Sequence, residues 1–348
     1  MSKEKTQKTK IVYLELLRII ASFFVIVNHT NSGIFMSRTP GSGTWWASLA
    51  YFFMCKTAVP VFLMISGALM LGKVEENQKH VKRFLRILVD LLVFSLLYSA
   101  YYHYEAEQQM DFLAALKRIY QVNATNAFWY LYLYLGILLM LPLLQRLSVR
   151  MERSAYRYVI GISVVVLGVT PIVAHYNGGI QYNGMFAEPL FSVYVGMLFL
   201  GYYLAHEVEL KPLYAGISAV VFCGGILLQV VLTYFEYCRN PAEYLFFDDR
   251  TFLTVTMTAA ALFYLVRYLG SVLHVAWFWN GVAFLGDCAF GIYLFSDFFI
   301  DVYEMNYLEL MMQMHVLKAV VIYELMVFIS GAVITAILKK IPYVNKLM

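Results

Sequence analysis

Apolar runs of about twenty residues, separated by short polar punctuation, occur ten times along this chain. A run of that length suits an α-helix crossing a hydrocarbon core about 30 Å thick. The runs fall approximately at Ile11–Thr30, Tyr51–Gly72, Leu85–Tyr102, Phe128–Leu147, Tyr158–Tyr176, Pro189–His206, Leu213–Tyr234, Phe252–Leu269, Asn280–Tyr303 and Lys318–Leu338. They are too long and too evenly apolar for the strands of an outer-membrane barrel, which alternate over about ten residues. Composition agrees. The chain is 61% hydrophobic and 14% charged, where a soluble domain has roughly 45–50% and about 25%. A soluble enzyme, a disordered chain and a nucleic-acid-binding domain are excluded. The expected fold is an all-α polytopic membrane protein of about ten transmembrane helices. It forms a single domain over residues 1–348, with short tails at 1–10 and 339–348.

Lysine and arginine placement orients the spans, because cytoplasmic loops carry the excess. With the N-terminus inside, eighteen of the 26 fall on the cytoplasmic side and six outside. Arg18 and Lys56 lie within spans. Both termini are therefore expected in the cytoplasm, with the bilayer as the first partner. The basic start and apolar first run look superficially like a signal peptide. The run is long, holds Arg18 and His29, and lacks a small-x-small cleavage site, so it reads as a retained helix. The +4 net charge reflects these basic loops and gives no reason to expect nucleic acid. Cys55, Cys223, Cys238 and Cys288 show no metal or redox spacing. Cys55 and Cys238 both fall toward the outer side, which leaves a disulfide open. Asn28-His-Thr30 and Asn123-Ala-Thr125 are formal glycosylation sequons, the first inside a span.

The first helix carries Glu15, Arg18, Ser22 and His29 at spacings of three, four and seven, a single helical stripe. Eleven residues separate Arg18 from His29, three turns plus about 20°, so both side chains share a face roughly 16 Å apart along the axis. Charge inside a membrane is costly and usually faces the bundle interior or an aqueous cavity. Glu15 and Arg18 can cancel each other, and an isolated histidine can simply bond a neighbouring helix. Three ionisable groups on one stripe favour a functional site.

Arginine, ten residues, then histidine on a first helix resembles the signature of the acyltransferase-3 family of bacterial membrane proteins. Four further segments resemble the family in order: Val59-Pro-Val-Phe-Leu-Met-Ile-Ser-Gly67, Arg83-x-x-Arg86, Phe128-Trp-Tyr-Leu-Tyr with Leu141-Pro142, and Phe290-Gly-Ile-Tyr-Leu-Phe-Ser-Asp. The resemblance implies a ten-helix enzyme of the cell membrane. Its reaction would move an acyl group, usually acetyl, from cytoplasmic acyl-CoA to a hydroxyl of a cell-envelope or exported polysaccharide. The implied cosubstrate is acetyl-CoA or another acyl-CoA, with no metal. One position departs from the pattern: many relatives carry histidine where this chain has Ser296.

Such a transfer needs a base for the hydroxyl proton, and an imidazole titrates near neutral pH. His29 is the histidine placed well inside a span. It is expected to serve as base or as transient acyl carrier. Glu15 lies too far along the axis to orient it, so Glu15 and Arg18 read as a paired, pathway-lining group. Lys79, Arg83 and Arg86 recur at i, i+4 and i+7, with Lys82 beside them, where the third helix begins. A helix N-terminus adds positive partial charge that suits phosphate. Positive-inside topology alone also explains these charges; with the resemblance they read as the acyl-CoA site. On this reading CoA docks from the cytoplasm on Arg83 and Arg86, and its arm threads past Arg18 toward His29.

Phe62 and Ser66 share a face of the second helix and either line the arm's channel or pack as ordinary helix surface. Trp129 and Tyr130 read first as an interfacial aromatic belt. Lys56, Asp297 and Asp301 fall in outer halves of their helices, where a buried Lys56–Asp pair or contact with a sugar acceptor are both open. Tyr293 and Ser296 belong to the same acceptor-side group. The acidic residues of the outer loops, including Glu236 and Asp248, read as solvated faces. The rival class is a transporter or flippase of polysaccharide or small molecules, since intramembrane charges also mark translocation paths. No repeat halves support it. A purely structural subunit explains neither the stripe nor the basic motif.

Overall fold

A computed structural model describes residues 2–30, 32–177, 192–241, 244–342 and 344–346. All regular structure among these residues is helical. The helices are α1 (Ser2–Thr30), α2 (Ser32–Met36), α3 (Gly43–Cys55), α4 (Ala58–Met70), α5 (Asn77–Glu105), α6 (Phe112–Gln121), α7 (Trp129–Arg150) and α8 (Arg153–Ile160). They continue with α9 (Leu167–Tyr176), α10 (Val193–Tyr202), α11 (Pro212–Arg239), α12 (Leu253–Val272), α13 (Ala276–Val302), α14 (Glu304–Gln313) and α15 (Val316–Leu338). Nine helices or helix pairs among the described residues are long and apolar enough to cross a membrane. The expected span at 189–206 begins outside the described residues. Its described part is α10 followed by a wide helical turn, Tyr203–Glu207. Two expected single spans are interrupted. The second breaks at Lys56–Thr57 between α3 and α4, and the fifth passes through a wide turn at Gly161–Val166.

Local chemistry sets the helix ends. Pro212 opens α11, where its missing N–H costs nothing. The Asp111 carboxylate accepts the Leu113 and Ala114 amides at the start of α6. Ser42 and Ser192 do the same for α3 and α10.

The chain divides into two compact units. The first is Met1–Lys73 with Leu147–Asp287, and the second Val74–Arg146 with Cys288–Met348. In the first, α4 packs on α10 and α1, and α12 packs on α11 and α1. A side chain at Gly67 would meet the Leu198 carbonyl at 1.9 Å, and one at Gly201 the Met64 carbonyl at 2.1 Å. These glycines let α4 and α10 approach backbone to backbone, the usual device where no hydrophobic effect drives helices together. A buried aromatic cluster of Phe35, Trp45, Phe52, Phe53, Phe247 and Phe252 joins α2 and α3 to the segment before α12. In the second unit, α5 packs on α6 and α14 on α15.

Candidate active site

In the first unit, α1 runs unbroken through Glu15, Arg18 and His29, so the three share one helix as the spacing predicts. The Arg18 Nη1 donates to Glu15 Oε1 at 2.6 Å. Both side chains are part-buried, and Glu15 Oε2 is buried without a hydrogen-bond partner. Gly286 of α13 sits against Glu15, where a Cβ would lie 2.6 Å from the Glu15 Cβ. The absent side chain is therefore what admits this carboxylate. His29 is part-buried in the last turn of α1, and Ser22 is fully buried on the same helix. Beside His29, the Asn28 amide donates to its own helix at Phe24 O (2.9 Å) and to Cys55 O (2.7 Å), the end of α3. Asn28 thus ties the end of α3 to the end of α1 that carries the histidine. Phe62 and Ser66 lie on α4, both part-buried.

Three expectations in this unit are corrected. Lys56 pairs with Asp248, not with Asp297 or Asp301, and its ammonium also lies 4.4 Å from the Phe52 ring centre. Burial pushes the Asp248 carboxyl above the usual carboxylate range, opposed chiefly by the Lys56 charge. Glu236 is not on a solvated face. It is 1% exposed and accepts from His175 Nε2 at 3.0 Å and from the Tyr176 hydroxyl, with Arg239 at 3.8 Å. The His175 ring stacks on Phe246 at 3.7 Å. The bonds from His175 and Tyr176 offset the cost of burying the Glu236 carboxylate. Cys238 is exposed and forms no disulfide, so the Cys55–Cys238 bridge does not exist.

In the second unit the basic motif occupies the start of α5. Arg83 Nη1 donates to Glu75 Oε2 at 2.9 Å. The Glu75 backbone amide is in turn held by the buried Gln145 side chain at 2.9 Å. Arg83 is therefore ordered, which positive-inside topology alone does not require. Its other guanidinium donors have no partner among the described residues. Arg86 Nε lies 4.0 Å from Asp90, a fully buried carboxylate with neither oxygen hydrogen-bonded. Lys79 and Lys82 are exposed. His80 is buried in the first turn of α5.

The residues grouped toward the acceptor in this unit are gathered around Ala127. Asp297 accepts the Ala127 amide at 3.0 Å, and the Tyr293 hydroxyl donates to the Ala127 carbonyl at 2.8 Å. Ser296 donates within its helix to Tyr293 O at 2.8 Å, and all three side chains are buried. Tyr130 meets Tyr293 edge-on at 6.2 Å and Trp129 at 6.1 Å. Asp301 accepts from the Tyr102 hydroxyl at 3.2 Å.

The arginine–histidine helix, the ordered basic motif and the α13 segment are thus present in a helical membrane protein. Residues 11–339 match the acyltransferase domain of the acyltransferase-3 family. The chain belongs to this family. It is a membrane acyltransferase, a transferase of acyl groups other than aminoacyl groups. No curated protein and no solved structure matches it.

Arg18, His29, Arg83 and Arg86 stand out in the sequence because their spacing is local. Asn28, Glu75, Asp90, Asp248 and the His175–Glu236 pair were missed. Asn28 and Glu236 were visible as polar residues at helix ends, but their partners lie on other helices.

Proposed function

We propose that this membrane acyltransferase takes an acyl group, acetyl by preference, from cytoplasmic acyl-CoA. The acceptor is a hydroxyl of an envelope or exported polysaccharide, and the enzyme resides in the cell membrane. The observation that carries this reading is the part-buried Glu15–Arg18 pair on the unbroken helix that ends in His29. A membrane helix keeps such groups where they line a path or a site.

In the reaction proposed, the imidazole of His29 takes the proton of the acceptor hydroxyl. The oxygen attacks the thioester carbonyl, an ester C–O bond forms and the C–S bond breaks. CoA leaves as thiolate and recovers the proton from the imidazolium. Arg83, with Arg86, Lys79 and Lys82, binds the CoA phosphates; an ordered guanidinium with unused donors suits that role. The alternative in which His29 carries the acyl group differs by one trappable species, an acyl-imidazole. The test is CoA release from labelled acetyl-CoA by the purified protein, with transfer to candidate glycans. His29→Ala is expected to abolish both. Solute uptake that survives His29→Ala without CoA turnover would favour a transporter instead.

A further inference from the structure

The second unit holds a cavity of about 380 Å³ between the C-terminal end of α5, α6 and the segment before α7. Its lining includes Tyr102, His103, Arg118, Asn123 and Thr125, and no acidic residue. Three of these groups point to a ligand. The His103 Nδ1 lies 2.7 Å from the Ser99 carbonyl. A carbonyl can only accept, so Nδ1 carries a proton and Nε2 is the ring nitrogen left to bond a ligand. That nitrogen has no partner among the described residues. Thr125 is 6% exposed, yet its hydroxyl has no hydrogen-bond partner. A buried hydroxyl left unmade is a cost that a bound polar group removes. The Arg118 guanidinium forms no ion pair among the described residues.

We propose that this cavity binds a hydroxylated ligand bearing an anionic group, an acidic saccharide unit. Arg118 pairs with its carboxylate, while His103 Nε2 and the Thr125 hydroxyl bond to ring hydroxyls. The volume lies within the usual range for small-ligand sites, roughly 300–1,000 Å³. Its place on α5 fits the acceptor. Arg83 and His103 stand near opposite ends of this one helix, twenty residues or about 30 Å apart, the thickness of a hydrocarbon core. The cavity therefore opens on the membrane face opposite the basic motif. Helix α6 supports that level. It turns Ala115 and Ile119 inward and leaves Phe112, Leu113 and Tyr120 exposed, the pattern of a helix lying at a membrane surface. The proposal deepens the acceptor reading above and rests on it for its biological purpose, though not for the binding itself.

The full-length protein in phosphatidylcholine nanodiscs is examined by saturation-transfer NMR with glucuronic acid and with glucose, without acyl-CoA. Transfer to glucuronic acid is expected, at least fivefold weaker for glucose. Arg118→Gln should lower glucuronate affinity about tenfold and leave glucose unchanged. His103→Gln and Thr125→Val should weaken both sugars, with Lys117→Gln, outside the lining, as control. Equal signals for the two sugars in the unmodified protein, or unchanged affinity in the Arg118 and His103 variants, would overturn the proposal. Displacement of glucuronate by inorganic phosphate and by phosphatidylglycerol in the nanodisc would reassign the site to a lipid headgroup and also overturn it. Because acyl-CoA is absent, failure here is distinct from failure of the transfer reaction, which CoA release reports.

Discussion

Gly286→Ala should damage catalysis through Glu15 without touching any reacting group. A Cβ at residue 286 would lie 2.6 Å from the Glu15 Cβ, 2.7 Å from its Oε2 and 3.2 Å from its Cα. Carbon–carbon contact becomes favourable at about 3.5 Å, so Glu15 or α13 must move by about 1 Å. Part of the crowding falls on the Glu15 backbone, so a rotamer change alone cannot relieve it. Overpacking of this kind costs about 1–3 kcal/mol. The displacement passes directly into the 2.6 Å contact with Arg18. A misplacement of that size lowers rate by about 100-fold where positioning matters. Gly281→Ala is the matched control, because a Cβ there meets nothing within 4 Å. The assay is acyl-CoA-dependent CoA release, with helical content and monodispersity checked for both variants. Equal activity in the two alanine variants would refute the coupling of Glu15 geometry to turnover.

Arg83→Gln should raise the KM for acyl-CoA by about 10-fold or more, the worth of a charge-assisted hydrogen bond, with the acceptor KM unchanged in steady-state kinetics. Asn28→Ala leaves the Cys55 carbonyl without its 2.7 Å partner. It should cost about 1–3 kcal/mol in thermal unfolding and lower kcat more than it raises KM. Lys56→Met should destabilise by about 2–3 kcal/mol, less than a fully buried pair because a third of the Asp248 side chain is exposed. The double variant Lys56→Met with Asp248→Leu should recover most of that loss, measured as a double-mutant cycle in denaturant.

The helices and the membrane were legible because both are statements about average apolarity over twenty residues. The Glu15–Arg18 pair was legible because its spacing is intrahelical. Partners on other helices were not. Periodicity says which face of α11 holds Glu236, but not that His175 and Tyr176 bond to it. Lys56 had several carboxylates of suitable depth, and only packing selects Asp248. The breaks at Lys56–Thr57 and Gly161–Val166 also escaped, since apolar composition runs straight through both. The α5–α6 cavity escaped for a related reason. Its residues come from a helix end, a short amphipathic helix and a loop, none distinctive alone.

The proposed role of His29 is to drive acyl transfer from CoA. The most direct measurement follows CoA release from labelled acetyl-CoA by purified protein, paired with label recovered on a polysaccharide acceptor, for the unmodified chain and His29→Ala. Acceptor-dependent CoA release is expected to fall at least 100-fold in His29→Ala, in the range for losing a general base. Undiminished transfer in His29→Ala would contradict it.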